Sequence, residues 1–507
     1  MTSLDKASLP DEDVLAGLLY RMQDTENFER FRNQGERCGW CFHPIRLAGM
    51  STTVDLSNGE ITSSYSSDTE PSGVLLKACG TRRATLCPSC ASVYAADARM
   101  LIRSGMSGGK GIPNVVADHP MVFATFTAPS FGKVHRANND ARTCQQIRKH
   151  NHCPHGQALG CNKAHAKDDP IVGEPLCMKC YDYRPAVLWN SLCSELWRRT
   201  TIYTKRRLAQ LLGMRKTAFS KQFRLSFAKV AEYQRRGVVH LHAVIRIDSA
   251  TKNLETLPRA VDIPMLISAI TSAVAKVSVP YPGGISGLVH WGPQLEVRGI
   301  SNEKECISDI ASRDTDDTPK PTSTSGMRSR IIANYIAKYA TKSTDDNGAL
   351  DRRLHSLSDL DQRGVTGHLR RMVEVAWDLG GRPELASLRL RAWAHTLGFR
   401  GHCITKSRHY SVTFGYLRAE RQAWQIRRTF QSDSNQESRE VIGTWKWVGT
   451  GWWNSGDLWL AELGAQHKVE SRILAREAQC IDLMGLGEAE IGRSAVREGT
   501  EEARHDQ

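Results

Sequence analysis

The stretch that most constrains this chain runs from Phe227 to Asp248. Two strand-like runs there flank the turn residues Arg235, Arg236 and Gly237 and predict a β-hairpin. Its second arm carries His240-Leu241-His242. Strand side chains alternate with a period of two, so both imidazoles leave one face while Leu241 and Ala243 leave the other. On the first arm Glu232 and Gln234 share a face, so either can approach the histidines and complete a set of two nitrogens and one oxygen suited to a divalent cation. Glu232 is the stronger candidate, because a carboxylate lowers the cation's net charge. Ordinary strand polarity also produces His-x-His, so the tripeptide needs a second feature beside it.

That feature is YIAKYATK, Tyr335 to Lys342, inside the apolar-periodic run Ile331 to Thr341, whose spacing predicts a helix. Tyr335 and Tyr339 lie one turn apart on the same face, with Lys338 and Lys342 in a stripe beside them. A phenol oxygen can attack phosphorus if something polarises the phosphate and eases ionisation of a group whose ordinary pKa is near ~10. A metal and a lysine together do that. Two core aromatics on an amphipathic helix would give the same spacing.

Taken in order, an acidic hairpin strand, HLH and YIAKYATK resemble the HUH endonucleases, specifically the two-tyrosine class of rolling-circle replication initiators. HPMVFATFTAPSFGKV, His119 to Val134, resembles the FxTxTxP strand that precedes the histidine motif in that superfamily. Longer blocks, among them CPSCASVYAADA, EPLCMKCYDY, VLWNSLCSELWRRTT and RAWAHTLGFRGHCITKSRHYS, are similar to the replication initiators of actinobacterial plasmids and integrative elements. The likeness runs from about Cys38 to Tyr416.

The resemblance implies an α+β fold in which an HUH-type antiparallel sheet with flanking helices carries the metal and a helix carries the tyrosines. It implies Mg or Mn on His240, His242 and Glu232, and attack by Tyr335 or Tyr339 on a scissile phosphate of single-stranded origin DNA. The products are a 5′-phosphotyrosine and a 3′-hydroxyl for a host polymerase. The second tyrosine serves the rejoining step, with Lys338 and Lys342 stabilising phosphate charge. Gly108-Gly109-Lys110-Gly111 lacks the first glycine and final hydroxyl of a nucleotide-binding P-loop, so a host helicase is expected to separate the strands. A conjugative relaxase or single-strand transposase shares this chemistry. A zinc-dependent DNA-binding regulator without nuclease activity is the alternative from a different class.

Charge points the same way: 68 Lys and Arg against 54 Asp and Glu leave a net +14, which favours a polyanionic partner. No apolar run approaches the roughly 18 residues that span a bilayer, and the N-terminus lacks a secretory pattern, so the cytoplasm is expected. The 14 cysteines fall largely in CxxC pairs and clusters, a pattern of metal thiolates in a reducing compartment. Cys38, Cys41, Cys87 and Cys90 form a zinc-ribbon-like set, with Cys79 as a competing ligand. A second cluster holds Cys144, Cys153, His155, Cys161, His165, Cys177 and Cys180, with His150 and His152 close by. The preferred structural zinc set is Cys153, Cys161, Cys177 and Cys180, with His155 or His165 as substitutes or as ligands of a second ion. Cys193, Cys306, Cys403 and Cys480 read as buried thiols, and His290 as a packed or surface histidine.

Four regions follow: 1–114, zinc-ribbon-like; 115–345, the endonuclease domain, with a cysteine-rich insertion at 140–184 and a polar flexible segment at 301–328; 346–470, basic and mainly helical; and a charged tail at 471–507. Between Ser387 and Arg428 nine Lys and Arg meet a single acid among interleaved aromatics, a composition suited to single-stranded nucleic acid. Arg400, Lys406, Arg408 and Tyr410 are its candidate DNA contacts. A helix with a solvated basic face would have the same composition. Thr444 to Trp459, with five tryptophans and three glycines, predicts a short hairpin.

Overall fold

The computed structural model describes residues 11–137, 144, 152–250, 261–301, 327–328, 332–335, 350, 352–429 and 439–474. Its elements in chain order are α1 (Glu12–Met22), α2 (Thr25–Arg37), β1 (Ile45–Asp55), β2 (Ile61–Ser66), β3 (Leu75–Lys77), α3 (Pro88–Ser107), β4 (Met121–Phe126), α4 (Tyr183–Leu211), α5 (Lys216–Gln222), β5 (Phe223–Tyr233), β6 (Val239–Ser249), α6 (Ile263–Lys276), β7 (Ser278–Pro280), β8 (Leu288–His290), β9 (Leu295–Ser301), β10 (Met327–Arg328), α7 (Ser358–Gln362), α8 (Gly367–Leu379), β11 (Ile404–Lys406), α9 (Phe414–Thr429) and β12 (Arg439–Thr450). They fall into two compact units, one of Met1–Tyr94, Glu303–Lys320 and Gln422–Gln507, the other of Ala95–Asn302 and Pro321–Arg421. The second unit takes in residues on both sides of position 346, so the compact units do not follow the four expected regions. No described helix is long and apolar enough to cross a membrane.

The first unit is built on a four-stranded sheet in the order β12-β1-β2, with β3 also paired to β1. The tryptophan-rich segment is therefore not a hairpin of its own. Arg439 to Thr450 is one strand, paired antiparallel with β1 from Asp55↔Arg439 to Ile45↔Thr450. A partner so distant in sequence leaves no local signal. In the helical layer Arg21 is buried, donating to Asp457 Oδ1 at 2.9 Å and Oδ2 at 2.8 Å, with its guanidinium 4.7 Å from the Phe31 ring.

In the second unit six strands run in the order β10-β9-β4-β6-β5-β11, antiparallel except for the β10-β9 pair. The hairpin expected from sequence is β5-β6, in register from Phe223↔Ser249 to Tyr233↔Val239. Its apolar face, Leu241, Ala243, Ile245 and Ile247, joins Val122, Ala124 and Phe126 of β4 in a core with Trp189, Leu196, Leu266 and Ile270 of α4 and α6. Burial of that face fixes the register, because a one-residue slip would turn every core side chain outward. Asp262 caps α6, its Oδ1 accepting from Met265 N at 2.8 Å. Wholly buried Asn190 of α4 holds the hairpin end, donating to Gly237 O at 2.9 Å and accepting from Val239 N at 2.9 Å.

Candidate active site

The opposite face of the same sheet carries the polar residues. On β6 it presents His240, His242, Val244, Arg246 and Asp248; their partners on β5 are Glu232, Val230, Ala228, Ser226 and Arg224. On β4 the residues opposite His242 and Val244 are Thr125 and Phe123. Phe123, Thr125 and Thr127, which fall in the stretch that resembles an FxTxTxP strand, thus line the site at a spacing of two, and the two threonine hydroxyls stand beside the histidines. Their period-two placement in FATFTAP was the available signal. Glu296 of β9, opposite Thr125, adds a carboxylate that is ion-paired with Arg298.

Each histidine is oriented by named partners. His242 Nδ1 lies 3.1 Å from Thr125 Oγ1, and its Nε2 lies 3.1 Å from Glu232 Oε2. His240 Nδ1 lies 3.2 Å from Gln234 Nε2 and 3.5 Å from Thr127 Oγ1. Gln234 is held in turn by Arg236, whose Nε donates to its Oε1 at 2.8 Å. The two oxygen candidates have therefore separated: Glu232 meets a histidine nitrogen with its carboxylate, whereas Gln234 acts on His240 through its amide. Burial, then the neighbouring His242 and Arg236, push the His240 pKa down to about 3. It is a neutral ring at physiological pH, the form that ligates metal. Two histidine nitrogens and a carboxylate oxygen are donors of the kind a divalent cation takes; among the described residues these ligand atoms do not all lie within 4.8 Å of one another.

Tyr335 stands over this face. Its ring centroid is 5.2 Å from that of His242, edge to face at 86°, and 5.8 Å from that of Phe123. Phe123 itself stacks on His242 at 5.9 Å with an interplanar angle of 7°. The described helical turn spans only 332–335, so Lys338, Tyr339 and Lys342 lie outside the described residues.

Four to eight residues further along the same face of β6 the chemistry is structural. Arg246 and Asp248 are wholly buried and paired, Asp248 Oδ1 lies 2.8 Å from His119 Nδ1, and Arg246 donates to Gly105 O. Tyr410 is wholly buried beside them, its hydroxyl donating to Ile102 O at 3.1 Å. This corrects its reading as a DNA-stacking residue: the ring fills space against Gly105 and Arg246. Of the other basic candidates, Arg400 and Arg408 are exposed, while Lys406 is half-buried at the sheet edge, where β11 places it opposite Ala228.

Among the described residues three quartets bring ligand atoms within 4.8 Å of one another: Cys41, Cys79, Cys87 and Cys90; His135, Cys144, Cys161 and His165; and Cys153, His155, Cys177 and Cys180. In the first, Cys79 stands where Cys38 was expected. Cys38 caps the C-terminus of α2 and its thiol turns back to Gly35 O at 3.3 Å. In the second stretch Cys161 parts from Cys153, Cys177 and Cys180, and His135, which the sequence reading passed over, joins it. Cys193 is buried, as expected, and Cys403 is partly so; His150, Cys306 and Cys480 lie outside the described residues.

The model of the family described as "RepSA: Replication initiator protein, pSAM2" matches residues 27–466. A "Replication initiator protein" of Streptomyces ambofaciens is 37% identical to the chain over 482 residues, covering 93% of this chain and 97% of that one. No solved structure matches it.

Proposed function

The chain belongs to the RepSA family of replication initiator proteins, and on that premise we propose that it starts replication of a plasmid-type element by nicking one strand of origin DNA through HUH-type tyrosine transesterification. The observation that carries this reading is the placement of Tyr335 over the His240–His242 pair, 5.2 Å between the rings of Tyr335 and His242, with the Glu232 carboxylate on the same site. The sheet face would receive the extruded strand. His240, His242 and Glu232 would hold Mg or Mn, which when bound withdraws charge from the phosphate oxygens.

The remaining steps belong to the chain. Tyr335 loses its phenolic proton, its oxygen bonds to phosphorus, and the bond from phosphorus to the 3′ oxygen breaks, leaving a 5′-phosphotyrosine and a 3′-hydroxyl. Phosphodiester energy is kept in the new link. Tyr339 is proposed as the second nucleophile, and Lys338 and Lys342 as the cations beside the transferred phosphate. Exposed Arg400 and Arg408, with Lys406 at the sheet edge, would contact the DNA backbone. A host helicase and polymerase would complete the cycle, because the reaction neither unwinds nor extends DNA.

The test is incubation with single-stranded origin-region DNA and Mn, followed by denaturing electrophoresis. A denaturant-resistant adduct that disappears with EDTA and with His240→Ala, and is lost only when Tyr335→Phe and Tyr339→Phe are combined, is the expected result. Tight, salt-reversible binding without an adduct on any strand of the region would overturn it in favour of the DNA-binding regulator.

A further inference from the structure

Eight ligand atoms between His135 and Cys180 sort into two groups that alternate along the chain: positions 135 and 144, then 153 and 155, then 161 and 165, then 177 and 180. We propose that this segment binds two zinc ions at once, one through His135 Nδ1, Cys144, Cys161 and His165 Nε2, the other through Cys153, His155 Nδ1, Cys177 and Cys180.

The distances are those of two tetrahedra. With Zn–N of about 2.0 Å and Zn–S of about 2.3 Å, ligands on one ion lie about 3.3 Å apart for two nitrogens and about 3.5 Å apart for nitrogen and sulfur. In the first group His135 Nδ1 and His165 Nε2 are 3.3 Å apart, and His165 Nε2 is 3.3 Å from Cys161 Sγ. In the second, His155 Nδ1 is 3.2 Å from Cys180 Sγ, 3.8 Å from Cys177 Sγ and 3.9 Å from Cys153 Sγ. The thiols are free.

Supporting groups are arranged as ligation requires. His165 Nδ1 lies 2.7 Å from Asp169 Oδ2, which makes Nδ1 the protonated nitrogen and leaves the Nε2 lone pair pointing at the quartet. The backbone N–H of Arg136 donates to Cys144 Sγ at 3.1 Å and fixes the position of that sulfur. One ion of the Cys153 set expected from sequence would instead have to gather Cys161, whose sulfur belongs with His165.

The quartet of His135, Cys144, Cys161 and His165 also braces the hairpin that carries His240 and His242. Asp169, beside His165, accepts with its backbone carbonyl from Arg235 Nη1 at 2.7 Å, and Gly173, at φ 96°, packs so closely on Arg235 that a Cβ would lie 2.5 Å from its carbonyl carbon. Gly173 N donates to His135 O at 2.9 Å and His135 N to Glu174 O at 2.9 Å. His135 and Arg136 thus face Gln234, Arg235 and Arg236 across a cleft of about 490 Å³. Both ions are structural, since four protein ligands leave no position for substrate.

The test is zinc content of the purified full-length chain, measured for the wild type and for Cys144→Ser/Cys161→Ser/Cys177→Ser/Cys180→Ser. A loss of two equivalents is expected, and a loss of one or none overturns the proposal. This difference is unaffected by any metal on Cys41, Cys79, Cys87 and Cys90, and by whether the protein nicks DNA. His135→Cys in the cobalt-substituted chain should keep the metal count and add the charge-transfer intensity of one further thiolate. No added intensity would remove His135 from the set.

Discussion

The side-chain amide of Gln234 lies 3.2 Å from Nδ1 of His240 and is itself held by Arg236 at 2.8 Å. The hairpin turn thereby orients the ring that the strand presents.

Gln234→Ala removes an amide N–H that points at His240 Nδ1 and so opposes the Nδ1–H tautomer whose Nε2 would take the metal; it should lower the Mn concentration needed for half-maximal adduct formation. Thr125→Val removes the hydroxyl that can accept from His242 Nδ1–H and should raise that concentration by roughly 10–100-fold, the usual cost of losing an outer partner of a ligating histidine. An unchanged Mn requirement in both would show that neither contact sets the tautomer of its ring.

Lys229 is a buried lysine on β5, its ammonium 5.9 Å from the Trp197 ring, and burial lowers its pKa. A base with a lower pKa folded than unfolded binds fewer protons folded, so stability rises with pH between the two values. The penalty is therefore full below the folded pKa and gone above the unfolded value near ~10.4. Lys229→Met should stabilise the chain at pH 7 by about 1–3 kcal/mol, with the gain shrinking as denaturation is repeated toward pH 10.

Asp457→Ala leaves the Arg21 guanidinium buried without its carboxylate. A loss of about 3–5 kcal/mol is expected, read as a lower denaturant midpoint of the transition that tryptophan fluorescence reports. Asp457→Ala with Arg21→Met should recover part of it, because the pair costs desolvation that an apolar residue does not.

Tyr410→Phe removes one buried hydrogen bond and should cost about 1 kcal/mol of stability with DNA affinity unchanged. Arg408→Ala should do the reverse, weakening DNA binding and reducing the salt slope by about 1. Reduced affinity in the folded Tyr410→Phe protein would return that ring to the interface.

The contrast between those two residues shows where sequence patterning stops. Basic and aromatic residues alternate from Arg400 to Tyr416, and nothing local distinguishes a ring that stacks on a base from one that seals a core. Tyr410 is decided by Gly105, some 300 positions away in sequence, whose missing side chain makes room for it. The same holds for Cys79 and His135. Spacing marks CxxC pairs as ligands, but a lone cysteine or histidine enters a quartet only when the fold carries it there.

Local chemistry did determine the hairpin, its turn and the shared face of His240 and His242, because period-two alternation and Gly237 act over a few residues. The quartet memberships, the β1-β12 pairing and the separate roles of Glu232 and Gln234 were decided by tertiary structure. Each of these depends on which distant backbone comes within about 3 Å of a given atom, and hydrogen bonds and metal ligands act only over that range.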